Sequence, residues 1–199
     1  MRRVLHLTAA VALVFVSLQA SVRAADEMVT NPPFKHWSAF KVGATVTQKE
    51  KVRFAKDLDE ADYYPNAVHE KDVTYTLLEV TPQKVVVQST VTDYGVGSMI
   101  ELASTKIIYP AEVVKEHVAT SKSDIESFKE GDEDVKLLGK TIKCHWVDLM
   151  DKEGDESIQH KMWSSDEVPG GIVKDVKITK KGDKIVSESE IEVVSYETK

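Results

Sequence analysis

Two hairpins are written into this chain more plainly than anything else, and together they commit it to antiparallel β structure. Val73 to Val80 and Val85 to Thr92 flank Pro82-Gln83, where proline already holds the φ angle that the turn requires. Pairing Thr81 with Lys84 predicts one face made of Leu78, Val80, Val85, Val87 and Val91. The other face then carries Tyr75, Glu79, Gln88, Thr90 and Thr92, the division expected of a sheet that is wet on one side.

The second hairpin joins Ile172 to Lys180 with Lys184 to Tyr196 through Gly182-Asp183, a two-residue turn whose glycine accepts positive φ. Pairing Lys181 with Lys184 predicts Ile172, Val176, Ile178, Ile185, Ile191 and Val193 on one face. It also sets Lys177 across from Glu188, an attractive cross-strand pair. On the apolar face Ile178 is expected to meet Ser187, and Val176 to meet Ser189. Large residues facing small ones leave room for a packed helix or a cavity.

The remaining segments extend this pattern. Asn31 to Phe40 carries two prolines and then Phe34, Trp37 and Phe40 at every third position, so a short helical turn would gather the three rings on one side. Gly43 ends it, and Ala44 to Phe54 reads as a strand. Ser98 to Tyr109 is a further strand stopped by Pro110, and Ala111 to Val118 suits helix or strand equally. Ser121 to Asp134, with only Ile125 and Phe128 apolar, reads as a surface loop. Val135 to Met150 and Ser157 to Trp163 form another hairpin around Lys152-Glu153-Gly154-Asp155. The expectation is a mainly β fold: a curved antiparallel sheet or incomplete β-barrel of about eight or nine strands with short covering helices.

The first 24 residues stand apart from this pattern. Arg2 and Arg3 precede an apolar run from Leu5 to Leu18, and Val22 and Ala24 occupy the −3 and −1 positions of a small-residue cleavage site. These are the parts of an export signal, and the run is shorter than the ~20 residues that span a bilayer. The reading is a signal peptide over 1–24, cleaved near Ala24, and a single β domain over 25–199, periplasmic or secreted, with no retained membrane segment. Losing the leader's three arginines, with no acids, takes the formal charge from −7 to −10. An acidic surface disfavours nucleic acid and anionic membranes, which need basic patches. The single cysteine, Cys144, has no internal partner, so burial and sheet hydrogen bonds must hold the domain.

The most distinctive segment is Trp163-Ser164-Ser165-Asp166-Glu167-Val168-Pro169-Gly170-Gly171-Ile172-Val173-Lys174, in which Pro169, Gly170 and Gly171 set a sharp turn between strands. With the Asn-Pro start and aromatic turn of Asn31 to Phe40, Val42-Gly43, and the glycine-led strand Gly139 to Trp146 holding Cys144, it resembles a group of exported bacterial proteins of unassigned function. More distantly the spacing is similar to that of periplasmic lipoprotein carriers and related half-barrels. That resemblance implies a strongly curved antiparallel sheet whose concave apolar face is covered by short helices.

Candidate chemistry is sparse. Ile142, Cys144 and Trp146 alternate on one strand face, which makes Cys144 a small buried hydrophobe rather than a reactive thiol. His145 and His160 lie on the two strands of one hairpin without a third ligand, and His36, His69 and His117 are scattered, so no zinc set is expected. The acidic runs Asp57 to Glu60 and Asp132 to Asp134 lack the spacing of a calcium loop. No nucleophile elbow, zinc-protease motif or phosphate loop occurs. The expectation is a non-enzymatic protein without cofactor or metal, whose partner is a lipid or other apolar ligand held by Trp37, Trp146, Trp163, Ser187 and Ser189. The alternative is an envelope interaction protein with a filled core, recognisable by an exposed patch or an unpaired edge strand.

Overall fold

A computed structural model of the chain describes residues 27–54, 68–95, 98–101, 104–115 and 125–199. The expected leader over 1–24 and the acidic run Asp57 to Glu60 lie outside these residues.

The described residues form strands β1 (Met28–Thr30), β2 (Thr45–Phe54), β3 (Val68–Val80), β4 (Lys84–Gly95), β5 (Ser98–Glu101), β6 (Thr105–Pro110) and β7 (Glu112–Val114). They continue through β8 (Ile125–Leu137), β9 (Lys140–Glu153), β10 (Glu156–Ser164), β11 (Ile172–Lys181) and β12 (Lys184–Glu197), with one helix, α1 (Pro32–Ser38). Nine strands make one antiparallel path in the order β5-β4-β3-β2-β12-β11-β10-β9-β8. This is the mainly β antiparallel sheet that the hairpins demand. β6 also pairs with β4, and β1 with β7 makes a separate two-stranded ribbon. The path does not close into a barrel, and β8 is the strand at one end.

Both turns that anchor the sequence reading form as expected. Val80 lies across from Val85, with the Thr81 amide donating to the Lys84 carbonyl at 2.9 Å, and Lys181 lies across from Lys184. Away from the turns, single-residue bulges change the faces. In β3 the register shifts between Leu77 and Glu79, so Leu77 opposes Val87 and Tyr75 opposes Ser89. Leu77, not Leu78, therefore shares the buried face with Val85 and Val87, and Tyr75 lies on that face rather than opposite it. All three aliphatics are fully buried.

The last hairpin is corrected in the same way. Its register shifts between Thr179 and Lys180, so Thr179 opposes Ser187, Lys177 opposes Ser189, Ile178 opposes Glu188 and Asp175 opposes Ile191. The expected large-against-small pairs, Ile178 with Ser187 and Val176 with Ser189, do not form, nor does Lys177 with Glu188. Further shifts occur in β8, β11 and β12. Each bulge bends its strand and increases local twist.

Three other segments differ from expectation. Ser121 to Asp134, read as a loop, contains most of β8, and the Val135 to Met150 run is divided by a tight turn at Leu138-Gly139. Both turn residues have positive φ, 51° and 79°, as a two-residue hairpin loop requires. The undecided Ala111 to Val118 segment supplies β7, paired with β1. Ser98 to Tyr109 yields two strands, β5 and β6, both paired with β4.

The core is one cluster that runs from β2, β3 and β4 to β9 and the segment after β10. Val46, Leu77, Val85, Val87, Val193, Val173, Val168, Ile142 and Cys144 form it, and Trp37 of α1, 4% exposed, completes it. Phe34 packs against its margin from α1 and Phe40 from the turn after it, since the helix ends at Ser38, two residues short of the third ring of the expected helical face. The start of α1 is tied down by Asn31, whose amide and side-chain Nδ2 donate to the carbonyls of Ala111 and Pro110, both at 2.9 Å.

Candidate functional site

The Pro-Gly-Gly segment is the hinge on which the site is built. After β10 the chain loops back through a hydrogen bond from the Ser165 amide to the Gly171 carbonyl at 2.8 Å. A second runs from the Gly171 amide to the Val168 carbonyl at 2.9 Å. Gly170 and Gly171 have φ of 79° and 81°, conformations that glycine adopts without steric cost. They are also places of close approach. A Cβ on Gly170 would sit 3.0 Å from the Trp37 ring, and one on Gly171 would sit 2.6 Å from that of His36. The two glycines let α1 lie directly on the loop, with Pro169 and Val168 buried beneath.

This contact fixes one wall of an open cleft of about 830 Å³. Lys35 and His36 of α1 and Ser164 to Asp166 form that wall, and Asp132 to Asp134 of β8 with Lys143 to His145 of β9 form the other. His36 Nδ1 is 3.3 Å from Asp166 Oδ1, close enough for ionic attraction but not aligned as a hydrogen bond, so the buried nitrogen has no aligned partner. Across the cleft His145 Nδ1 is 3.0 Å from Asp132 Oδ1, and its Nε2 is 3.8 Å from Glu130 Oε2. Four carboxylates (Asp132, Glu133, Asp134, Asp166) thus face two lysines, Lys35 and Lys143, and the cleft is acidic. Cys144 at its floor is 2% exposed. Burial pushes its thiol pKa up, and Glu133, Glu167 and Asp134 push the same way. A thiol in that setting stays protonated and unreactive.

The residues expected to hold an apolar ligand occupy three separate places. Trp37 is in the core against Gly170. Trp146 and Trp163 face each other across β9 and β10, with Lys161 Nζ 4.5 Å from the centroid of each ring, a cation held between two π faces. Trp163 Nε1 donates to Glu133, and Trp146 lies over Gly131 of β8. Ser187 and Ser189 lie on β12, opposite Thr179 and Lys177 of β11 on one side and Phe54 and Val52 of β2 on the other.

Beyond Val193 the face that carries these serines is mixed, with Ile191, Val52, Phe54, Met162 and Leu149 among charged groups. Asp175, opposite Ile191, accepts from His160 Nε2 at 2.9 Å to each carboxylate oxygen. Lys71 and Glu50 pair at 2.9 Å. His145 and His160 share a sheet face but oppose Ser164 and Leu149, and each keeps its own aspartate. Among the described residues no group of three or more His, Cys, Asp or Glu side chains is gathered for a metal ion, and no helix is long and apolar enough to cross a membrane.

The carboxylates of β8 are what sequence reasoning placed in a loop. The signals that reveal them are the alternation of Phe128, Glu130, Asp132 and Asp134 and the Leu138-Gly139 turn behind them. Both are weak, because an edge strand buries little and shows no apolar run.

Comparison with known proteins finds no matching family model and no matching curated protein. Among solved structures, the chain is similar to a protein believed to be exported, with a YmcC-like fold, from Bacteroides fragilis. The two are 13% identical, and the match covers 80% of this chain and 97% of the other with a TM-score of 0.43. It is also similar to the S-type phycobiliprotein lyase of Guillardia theta, at 8% identity, 83% and 92% coverage and a TM-score of 0.31.

Proposed function

We propose that this is an exported, non-enzymatic interaction protein that docks a cationic partner in the acidic cleft between α1 and the β8–β9 hairpin. The observation that carries the reading is the cleft itself, whose walls are charged and which opens at the end of the sheet. The core beside it is filled by Trp37 and the aliphatics around it. Export is supported by the basic, apolar and small-residue parts of residues 1–24. The lipid or apolar-ligand reading draws on Trp37, packed against Gly170, on Trp146 and Trp163, with Lys161 between their rings, and on Ser187 and Ser189 of β12, three separate places.

The test is binding of fluorescent octalysine by anisotropy across a range of salt concentration. The protein is expected to bind, to weaken as salt screens the carboxylates, and to lose at least tenfold in affinity in the D132N/D134N/D166N variant. No binding, or equal binding by the variant, overturns the reading. Uptake of a fluorescent fatty acid with no octalysine binding returns the apolar-ligand reading in its place.

A further inference from the structure

The open end of the sheet states how such a partner is held. Among the described residues β8, 13 residues long, pairs with β9 alone and has no further strand beside it. A strand in that position presents a row of backbone donors and acceptors to any extended chain that approaches. No proline interrupts it.

Its side chains select the occupant. β8 carries five acids (Glu126, Glu130, Asp132, Glu133, Asp134) and two lysines, Lys129 and Lys136. A second copy of β8 paired antiparallel about Asp132 would bring Glu130 against Asp134 and Asp132 against its own copy, and like charges directly opposed are destabilising. Glu130, Asp132 and Asp134 oppose Val147, His145 and Lys143 on β9 and so lie on one face, about 6.8 Å apart at two residues' spacing. Asp132 keeps 89% of its side chain exposed although His145 lies beside it.

The opposite face offers a different surface. At its centre Gly131 has no side chain, and the Trp146 ring lies where a Cβ would be, with ring atoms 2.9–3.1 Å from that point. The ring therefore reaches over β8, next to Trp163 and Glu133.

We propose that β8 binds an extended basic segment of another polypeptide by strand addition, with lysines or arginines at alternate positions reading the Glu130, Asp132 and Asp134 row. The residues between them lie against the Trp146 ring. This rests on the acidic cleft as the docking site and adds the partner's conformation and its two-residue charge period. A cationic ligand held by charge alone needs no such period. Strand addition requires it, because neighbouring residues of a strand point to opposite faces.

The probes are two labelled nine-residue peptides of equal composition, one alternating lysine with threonine and valine, the other with its lysines in one block. Titrated into the purified protein, the alternating peptide is expected to bind at least tenfold more tightly than the blocked one. The E130Q/D132N/D134N variant, with changes confined to exposed side chains, is expected to erase that preference. Equal affinity for the two peptides overturns strand addition, and if that binding still depends on the cleft carboxylates the cationic-partner reading stands. Absence of binding by either overturns both. Self-association of the protein that competes with peptide identifies a second copy as the occupant and also overturns the proposal.

Discussion

Replacing Gly171 with alanine tests the hinge under the site, and the structure supplies its own control. Gly171 and Gly139 have nearly the same backbone, φ of 81° and 79°, so an alanine at either suffers a similar left-handed penalty of about 1–2 kcal/mol. Both alanines also reduce the freedom of the unfolded chain, which offsets roughly 0.4–1 kcal/mol. The surroundings differ. Nothing lies within 4 Å of a Cβ at Gly139, whereas one at Gly171 meets the His36 ring at 2.6 Å. Ordinary carbon contacts lie at about 3.5–4.0 Å, so the ring must move by about 1 Å. With Trp37 fixed in the core on the same helix, that displacement falls in the overpacking range of about 1–3 kcal/mol. Urea denaturation followed by tryptophan fluorescence should therefore find Gly171→Ala less stable than Gly139→Ala by about 1–3 kcal/mol. Octalysine affinity should fall as well, because His36 and Asp166 line the cleft. Equal stabilities of the two variants would refute the argument that close approach, and not backbone conformation alone, demands glycine there.

Other outcomes follow from burial and charge. Leu77→Ala should cost about 2–5 kcal/mol and Leu78→Ala far less; equal losses in denaturation would contradict the β3 bulge. His160 has its pKa raised, first by the hydrogen bond to Asp175, against burial and Lys177, which lower it. The imidazolium–carboxylate pair therefore stabilises fully below the unfolded pKa of about 6.5 and loses that contribution as pH rises through the higher folded value. His160 keeps 37% of its side chain exposed, so solvent screening should hold the effect to surface size, about 0–1 kcal/mol. Asp175→Asn should abolish the decline measured by thermal unfolding between pH 6 and pH 8; an unchanged slope would show that His160 is not its source. Cys144 should resist a thiol reagent in the native state at pH 8 and react on unfolding in urea, and rapid native labelling would contradict its burial.

Local chemistry made half of this architecture legible and long-range pairing concealed the rest. The Pro82-Gln83 and Gly182-Asp183 turns were readable because turn residues act on their own backbone, and the pairs next to them formed as expected. The bulges at Leu78 and Val186 carry no comparable signature. Each moves the residues farther from its turn to the opposite face, which is why Leu77 replaces Leu78 in the core and why Ser187 and Ser189 meet Thr179 and Lys177. The Phe34, Trp37 and Phe40 spacing announced α1, since a helix needs only its own periodicity to show an apolar side. β8 escaped because hydrophobic patterning reports burial, and an edge strand of alternating acids buries almost nothing. The Pro169-Gly170-Gly171 turn stood out in the sequence, but that Trp37 and His36 lie on it depends on residues more than a hundred positions away.

Hydrogen–deuterium exchange across β8 tests the account most directly. In the free protein, backbone amides within 125–137 that point away from β9 should exchange fast, and saturating alternating-lysine peptide should slow them by at least tenfold while β3 and β4 stay unchanged. Slowing confined to other strands, or no slowing at all under conditions where the peptide is bound, would contradict docking at the open edge.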